Sequence, residues 1–147
     1  MNMLKQVKQV RHSNAVAAGT STITPSSGID TLGFRGCRFT ILWGAITAAG
    51  VQSAAIHTST DDGSSDSFTA LLGTKVTVAD SDDNKTTIID IYEPRERYLK
   101  CIISRGTQNS VIDGIIADLY DPQDAPVTQD GTVQGSELHH APAEGTA

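Results

Sequence analysis

The clearest pattern along the chain is an alternation with period two. Over residues 36–45, Cys37, Phe39, Ile41 and Trp43 fall on one face, and Arg38 and Thr40 fall on the other. Residues 98–104 repeat it, with Leu99, Cys101 and Ile103 on one side and Tyr98 and Lys100 on the other. Such alternation marks strands with one buried face. Pro94 precedes the second strand, where a missing N–H costs a ladder nothing. Residues 86–92 alternate as well, with Ile89 and Ile91 opposed to Ile88, Asp90 and Tyr92. Residues 111–120 place Val111, Asp113, Ile115, Ala117 and Leu119 on one face and Ile112, Ile116 and Tyr120 on the other, and Gly114 predicts a bulge. Weaker strands are expected at 20–24, 51–60 and 75–79. The small Ser53, Ala54 and Ala55 suit an edge or closely packed strand. Residues 68–72 (F-T-A-L-L) form an apolar plug of about one helical turn. Turn chemistry fills the gaps, most clearly at Asp61-Asp62-Gly63. Seven or eight short strands without a long helix predict an all-β sandwich or barrel.

The ends lack this pattern. Leu4, Val7 and Val10 recur at spacing three among Lys and Gln. That suits one helical turn or an extended arm, and an isolated helix this short is marginal. Residues 123–147 are rich in Pro, Gly, Thr, Gln and acids and have no period, so they cannot bury enough apolar surface to order themselves. The expected division is an N-terminal arm at 1–19, a sandwich at 20–122 and a flexible acidic tail at 123–147. Removing residues 1–11 should then leave the fold intact.

Composition bounds the function. A chain of 147 residues with 38% apolar content has room for one core. The net charge of −6 is unevenly spread: Lys5, Lys8 and Arg11 precede the first carboxylate, Asp30, and no Lys or Arg follows Arg105. Opposite charge at the two ends suits solvated termini, or termini laid on a partner of opposite charge. The acidic balance argues against nucleic acid as a direct partner. No apolar run reaches the ~20 residues of a membrane helix, and residues 1–10 lack the apolar region of a secretory signal, so synthesis in the cytosol is expected. Cys37 and Cys101 lie on apolar strand faces, where buried free thiols are the default and pairing requires close Cβ atoms.

Catalytic chemistry is sparse. His12, His139 and His140 fall in the expected tails, and His57 sits among Ser and Thr. There is no nucleophile elbow, glycine-rich phosphate loop, HExxH or CxxC. The acidic turns at 61–66 and 80–84 do not match the spacing of an EF-hand. No catalytic, cofactor or metal site is expected. Arg35, Arg38, Arg95 and Arg97 are ordinary strand-face charge or a basic protein interface.

Several segments in register resemble a known family. Residues 28–34 (G-I-D-T-L-G-F) lead into the strand C-R-F-T-I at 37–41. Residues 57–63 (H-T-S-T-D-D-G) end a strand in an acidic turn. Residues 68–74 (F-T-A-L-L-G-T), the R-Y-L-K of 97–100, Asp121-Pro122 and Ala125-Pro126 follow in order. The chain resembles, over about residues 28–127, the small capsid decoration (cement) proteins of tailed bacteriophages. The resemblance implies a jelly-roll β-sandwich and a structural, non-enzymatic role on the outer surface of an icosahedral shell. The implied partners are the major capsid protein and further copies of this chain, as a dimer or trimer, with no membrane. Lys5, Lys8, Arg11, Arg95 and Arg97 are the candidate contacts with capsid or neighbouring subunits. The implied location is the virion, after synthesis in the bacterial cytoplasm. A head or tail accessory protein and a fibre-like module binding carbohydrate or a host surface are the rival readings, since a fold of this kind serves many functions.

Overall fold

The computed structural model describes residues 2–146. After a single helical turn, α1 (Met3–Gln6), come ten strands: β1 (Lys8–Ser13), β2 (Val16–Gly19), β3 (Ile29–Asp30), β4 (Phe34–Ile46), β5 (Val51–Ser59), β6 (Thr69–Ala70), β7 (Val76–Ala79), β8 (Thr86–Tyr92), β9 (Tyr98–Ser104) and β10 (Ser110–Pro122). They form two antiparallel sheets. One runs β1-β10-β4-β8, with β2 continuing the line of β1 along β10; the other runs β3-β9-β5-β6, with β7 continuing the line of β6 along β5. Counting each interrupted pair as one strand leaves eight. The first and last of them pair, and the chain otherwise steps between sheets, returning to the same sheet only from β5 to β6. That is the jelly-roll order, a double Greek key. The protein is an all-β antiparallel sandwich.

The alternation explains the core. Cys37, Phe39, Ile41 and Trp43 of β4 share one buried cluster with Leu99, Cys101 and Ile103 of β9 and with Ala54 and Ile56 of the neighbouring β5. All of these are buried, and Trp43 satisfies its indole N–H by donating to Thr87 Oγ1 at 2.8 Å. Both thiols are free. Burial pushes the Cys101 thiol up to about 12 and Cys37 higher still, so both stay protonated.

Several expectations change. In β10 the register slips between Ile112 and Gly114. The bulge reverses the faces, so Ile112 turns inward together with Ile115, Ala117 and Leu119 while Val111 does not. β5 is an interior strand, paired with β9 on one side and with β6 and β7 on the other. Residues 20–24 supply only an isolated bridge between Ile23 and Ile103. The plug at 68–72 holds the two-residue β6 rather than a helical turn.

The largest correction concerns the ends. The sandwich begins at Lys8, not at residue 20. β1 pairs with β10 from Lys8↔Leu119 to Ser13↔Ile115, and β2 follows at Val16↔Ile112. Val10 packs against the core. His12 reaches the other sheet, where Nε2 accepts the Cys101 backbone N–H at 3.1 Å and the ring meets Phe39 edge-on. On its side away from β5, β9 is unpaired at Cys101, because β3 covers only Tyr98 and Leu99. The imidazole therefore stands in for a strand and must be neutral to accept. Burial and the charge of Lys100 hold it at about 4. The tail is not detached either. Its first part, to about residue 133, lies along β1 through the contacts described below, although none of residues 123–146 is fully buried.

Candidate functional site

Two surface regions carry most of the polar chemistry. The first is a corner built by the loops at 28–33, 61–68 and 93–98. Asp30 ends β3, and Arg97 precedes β9. The Arg97 guanidinium donates from Nε to Asp30 Oδ1 at 2.8 Å and from Nη2 to Oδ2 at 2.7 Å. This bidentate arrangement is the strong form of an ion pair, and it holds the Asp30 carboxyl below the usual carboxylate range. Thr31 donates both its N–H and its hydroxyl to the Arg97 carbonyl, at 2.9 and 2.8 Å. Asp62 Oδ1 accepts the Gly28 N–H at 2.6 Å, which ties the acidic turn to the same loop. Gly63 takes φ +80° in that turn, a conformation costly for other residues. Phe68 closes over the top: a Cβ on Gly28 would stand 2.7 Å from its ring. Beneath Phe68 lies Lys100, with Nζ 4.0 Å from the ring centroid and only 6% of the residue exposed. Lys100 thus sits on the outer face as expected, but under an aromatic cover rather than in water.

The acidic turn is occupied by its own backbone. Asp61 accepts the N–H groups of Ser64, Ser65 and Asp66, and these bonds lower its pKa. Asp66 accepts the N–H and hydroxyl of Thr60. Among the described residues, no group of three or more His, Cys, Asp or Glu side chains is placed to hold a metal ion. Desolvation lowers the pKa of His57, whose ladder partner is Ala70.

The second region is the β1 edge. Lys5 lies in α1, and Lys8 and Arg11 lie on β1. Lys8 Nζ stands 3.9 Å from Asp130 Oδ2, so part of the basic start and the acidic end meet within one molecule. The tail runs parallel to β1. The Val127 N–H donates to the Lys5 carbonyl at 2.9 Å. Gln129 Oε1 accepts the Gln9 N–H at 2.9 Å, and its Nε2 donates to the Val7 carbonyl at 2.7 Å and the Leu4 carbonyl at 3.2 Å. Thr132 Oγ1 accepts the Arg11 N–H at 2.9 Å. Sequence reasoning had no signal for this, because the contacts come from isolated polar side chains about 120 residues away.

The candidate residues therefore fall into two groups. Lys5, Lys8 and Arg11 share the β1 edge, and Arg95 and Arg97 share the corner. Arg97 is engaged by Asp30, and its guanidinium also lies 5.2 Å from the Tyr98 ring centroid. Arg95 lines a shallow groove with Leu71, Leu72 and Glu96. Arg35 pairs with Glu93 and lies over Tyr92, and Arg38 pairs with Asp118 at 2.8 Å. Of the four arginines of the expected basic patch, Arg35, Arg95 and Arg97 line one shallow groove together with Glu93 and Glu96, Arg38 lies outside it, and all but Arg95 are paired with carboxylates.

No protein-family model matches the chain, and no curated protein matches it. Among solved structures, a chain of the disulfide-linked pili of Bacillus endospore appendages is similar at a TM-score of 0.47 and 11% identity, covering 79% of this chain and 88% of that one. A chain of infectious bursal disease virus, Gx strain, is similar at a TM-score of 0.38 and 15% identity, covering 81% of this chain and 33% of that one. Both likenesses are loose, and the fold assignment rests on the strand order.

Proposed function

We propose that the protein is a structural virion component, a decoration protein that binds the outside of a tailed-phage capsid and stabilises contacts between major capsid subunits. The observation that supports this reading is the corner. The D-T-x-G, D-D-G, F-T-x-L-L and R-Y-L segments of the resemblance are scattered over about 70 residues of sequence, yet they converge there as Asp30, Asp62, Phe68 and Arg97. Their meeting at one corner supports reading them together as fold determinants. In this role the protein is not an enzyme, needs no cofactor and makes no direct contact with nucleic acid or membrane. The basic groups Lys5, Lys8, Arg11 and Arg95 face the acidic surface of a shell or of a neighbouring copy, and Arg97 shapes that surface through its pair with Asp30. Several weak contacts per copy add through effective concentration, and symmetric copies multiply them.

Particles stripped of the protein and heated beside complete ones test the reading. Complete shells should release their DNA at a higher temperature, and equal survival sinks the proposal. Copy number per particle tests it independently, with hundreds expected. Six or twelve copies would instead mark a head or tail accessory protein. The carbohydrate-binding alternative draws on the Tyr92–Tyr120 stack, whose ring centroids are 6.4 Å apart on the exposed face. A glycan array without hits removes it.

A further inference from the structure

β1 is the outer strand of its sheet, and it has one side to spare. Lys8 and Val10 turn their backbone groups towards β10, whereas the N–H groups of Gln9 and Arg11 point away from it. Unpaired rows of this kind are templates for another strand. Here the tail occupies the row, but it does so without forming a strand. Among the described residues, its only backbone–backbone bond to this segment is Val127 N–H to the Lys5 carbonyl. The rest is imitation: the Gln129 carboxamide accepts from Gln9 and donates to Val7, as a peptide group of a parallel strand would. The Thr132 hydroxyl accepts the Arg11 N–H and donates to Asp130 Oδ1 within the tail. Little apolar surface secures the tail, since only Val127, Gln129, Asp130 and Val133 between residues 123 and 133 are even half-buried.

We propose that this tail is a removable guard, and that the edge beneath it pairs with β1 of a second copy. The sequence of β1 suits antiparallel pairing with itself. With a twofold axis at Val10, Gln9 of each copy faces Arg11 of the other, Lys8 faces the uncharged His12, and Val10 faces Val10. No two like charges stand opposite, and the β-branched pair is a favourable one. The Gln9 and Arg11 backbones then form about four ladder bonds across the axis, and the interface is isologous, as closed dimers require. The two sheets join into one continuous sheet. This inference rests on the edge alone and holds whether or not the protein sits on a capsid.

The test compares the full chain with a chain ending at Pro122, by light scattering and sedimentation over a concentration series. The shortened chain should self-associate to dimers at least about tenfold more tightly than the full chain. Adding Gln9→Pro to the shortened chain removes one outward N–H at a position where an edge strand tolerates proline, and it should return the monomer. A synthetic peptide of residues 123–135 should also compete the dimer apart. In case the shortened chain folds poorly, the full-length double variant Gln129→Ala/Thr132→Val should show the same shift more weakly. A folded shortened chain that associates no more than the full chain overturns the proposal. So does a dimer indifferent to both Gln9→Pro and the peptide, or a shortened chain that binds the peptide without ever dimerising.

Discussion

The corner at Asp30–Arg97 and the edge at β1 are both polar, half-exposed and rich in hydrogen bonds, but they are held in different ways. In the corner a bidentate ion pair and two bonds from the buried Thr31 converge on one residue, Arg97, through its guanidinium and its carbonyl. At the edge the bonds are spread along a strap whose side chains each serve β1 separately and whose apolar contribution is small. Bonds that converge on one residue and include a buried partner, Thr31, make a loop part of the fold. Spaced bonding in water leaves a segment exchangeable, because each lost bond is replaced by one to solvent. The comparison teaches that a hydrogen-bond count does not distinguish structure from dressing; burial around the bonds does.

Removing the strand and removing its strap should differ most. Deleting residues 1–11 takes most of β1 from β10 and exposes Ala117 and Leu119. It should cost more than about 3 kcal/mol or abolish cooperative unfolding, whereas deleting 123–147 should cost less than about 1 kcal/mol. Urea melts of the two chains measure the contrast. This reverses the expectation that an N-terminal arm is dispensable.

Acid should attack the same side of the molecule next. His12 titrates near its ordinary 6.5 in the unfolded chain and at about 4 in the folded one. Between those values the unfolded chain binds the extra proton, so stability is intact above pH 6.5 and falls as pH drops towards 4. The loss approaches about 3 kcal/mol at the lower end. Thermal melts from pH 7 to 4 should show this slope, and a folded His12→Leu variant should flatten it.

A smaller effect is expected in the corner. Thr31 is buried, and its hydroxyl donates to the Arg97 carbonyl. Thr31→Val keeps the shape and removes the bond, and it should lower stability by about 1 kcal/mol in chemical denaturation. The smallest effect belongs to the strap. Gln129→Ala should change global stability by less than about 0.5 kcal/mol, while exchange of the Gln9 amide quickens about tenfold or more. Equal protection of Gln9 in both chains would erase the distinction between the two regions.

The strands that line the core were legible because they alternate on both sides of a dry interface. β4 and β9 declare themselves through Phe39, Ile41, Leu99 and Ile103. β1 did not, because only Val10 of its six residues is apolar and its other inward group, His12, is polar. An edge strand that packs one valine and hides an imidazole leaves no hydrophobic period to read. Lys100 looked solvated because its cover, Phe68, comes from a loop 32 residues earlier. The segments of the corner were visible, but the pairing of Asp30 with Arg97 across 67 residues was not. Ion pairs carry no spacing in the sequence unless they share a helix or strand.

The central place of β10 also bears on synthesis. β10 lies between β1 and β4, so these strands, made early, have no common neighbour until residues 110–122 leave the ribosome. At about 5–20 residues per second, one edge of β4 and both edges of β1 stay open for several seconds of each chain's birth. The sandwich can close only from the far end, and its first and last strands form one of its final seams. Pauses in translation before residue 110 would lengthen the time in which nascent neighbours can pair with the wrong partner.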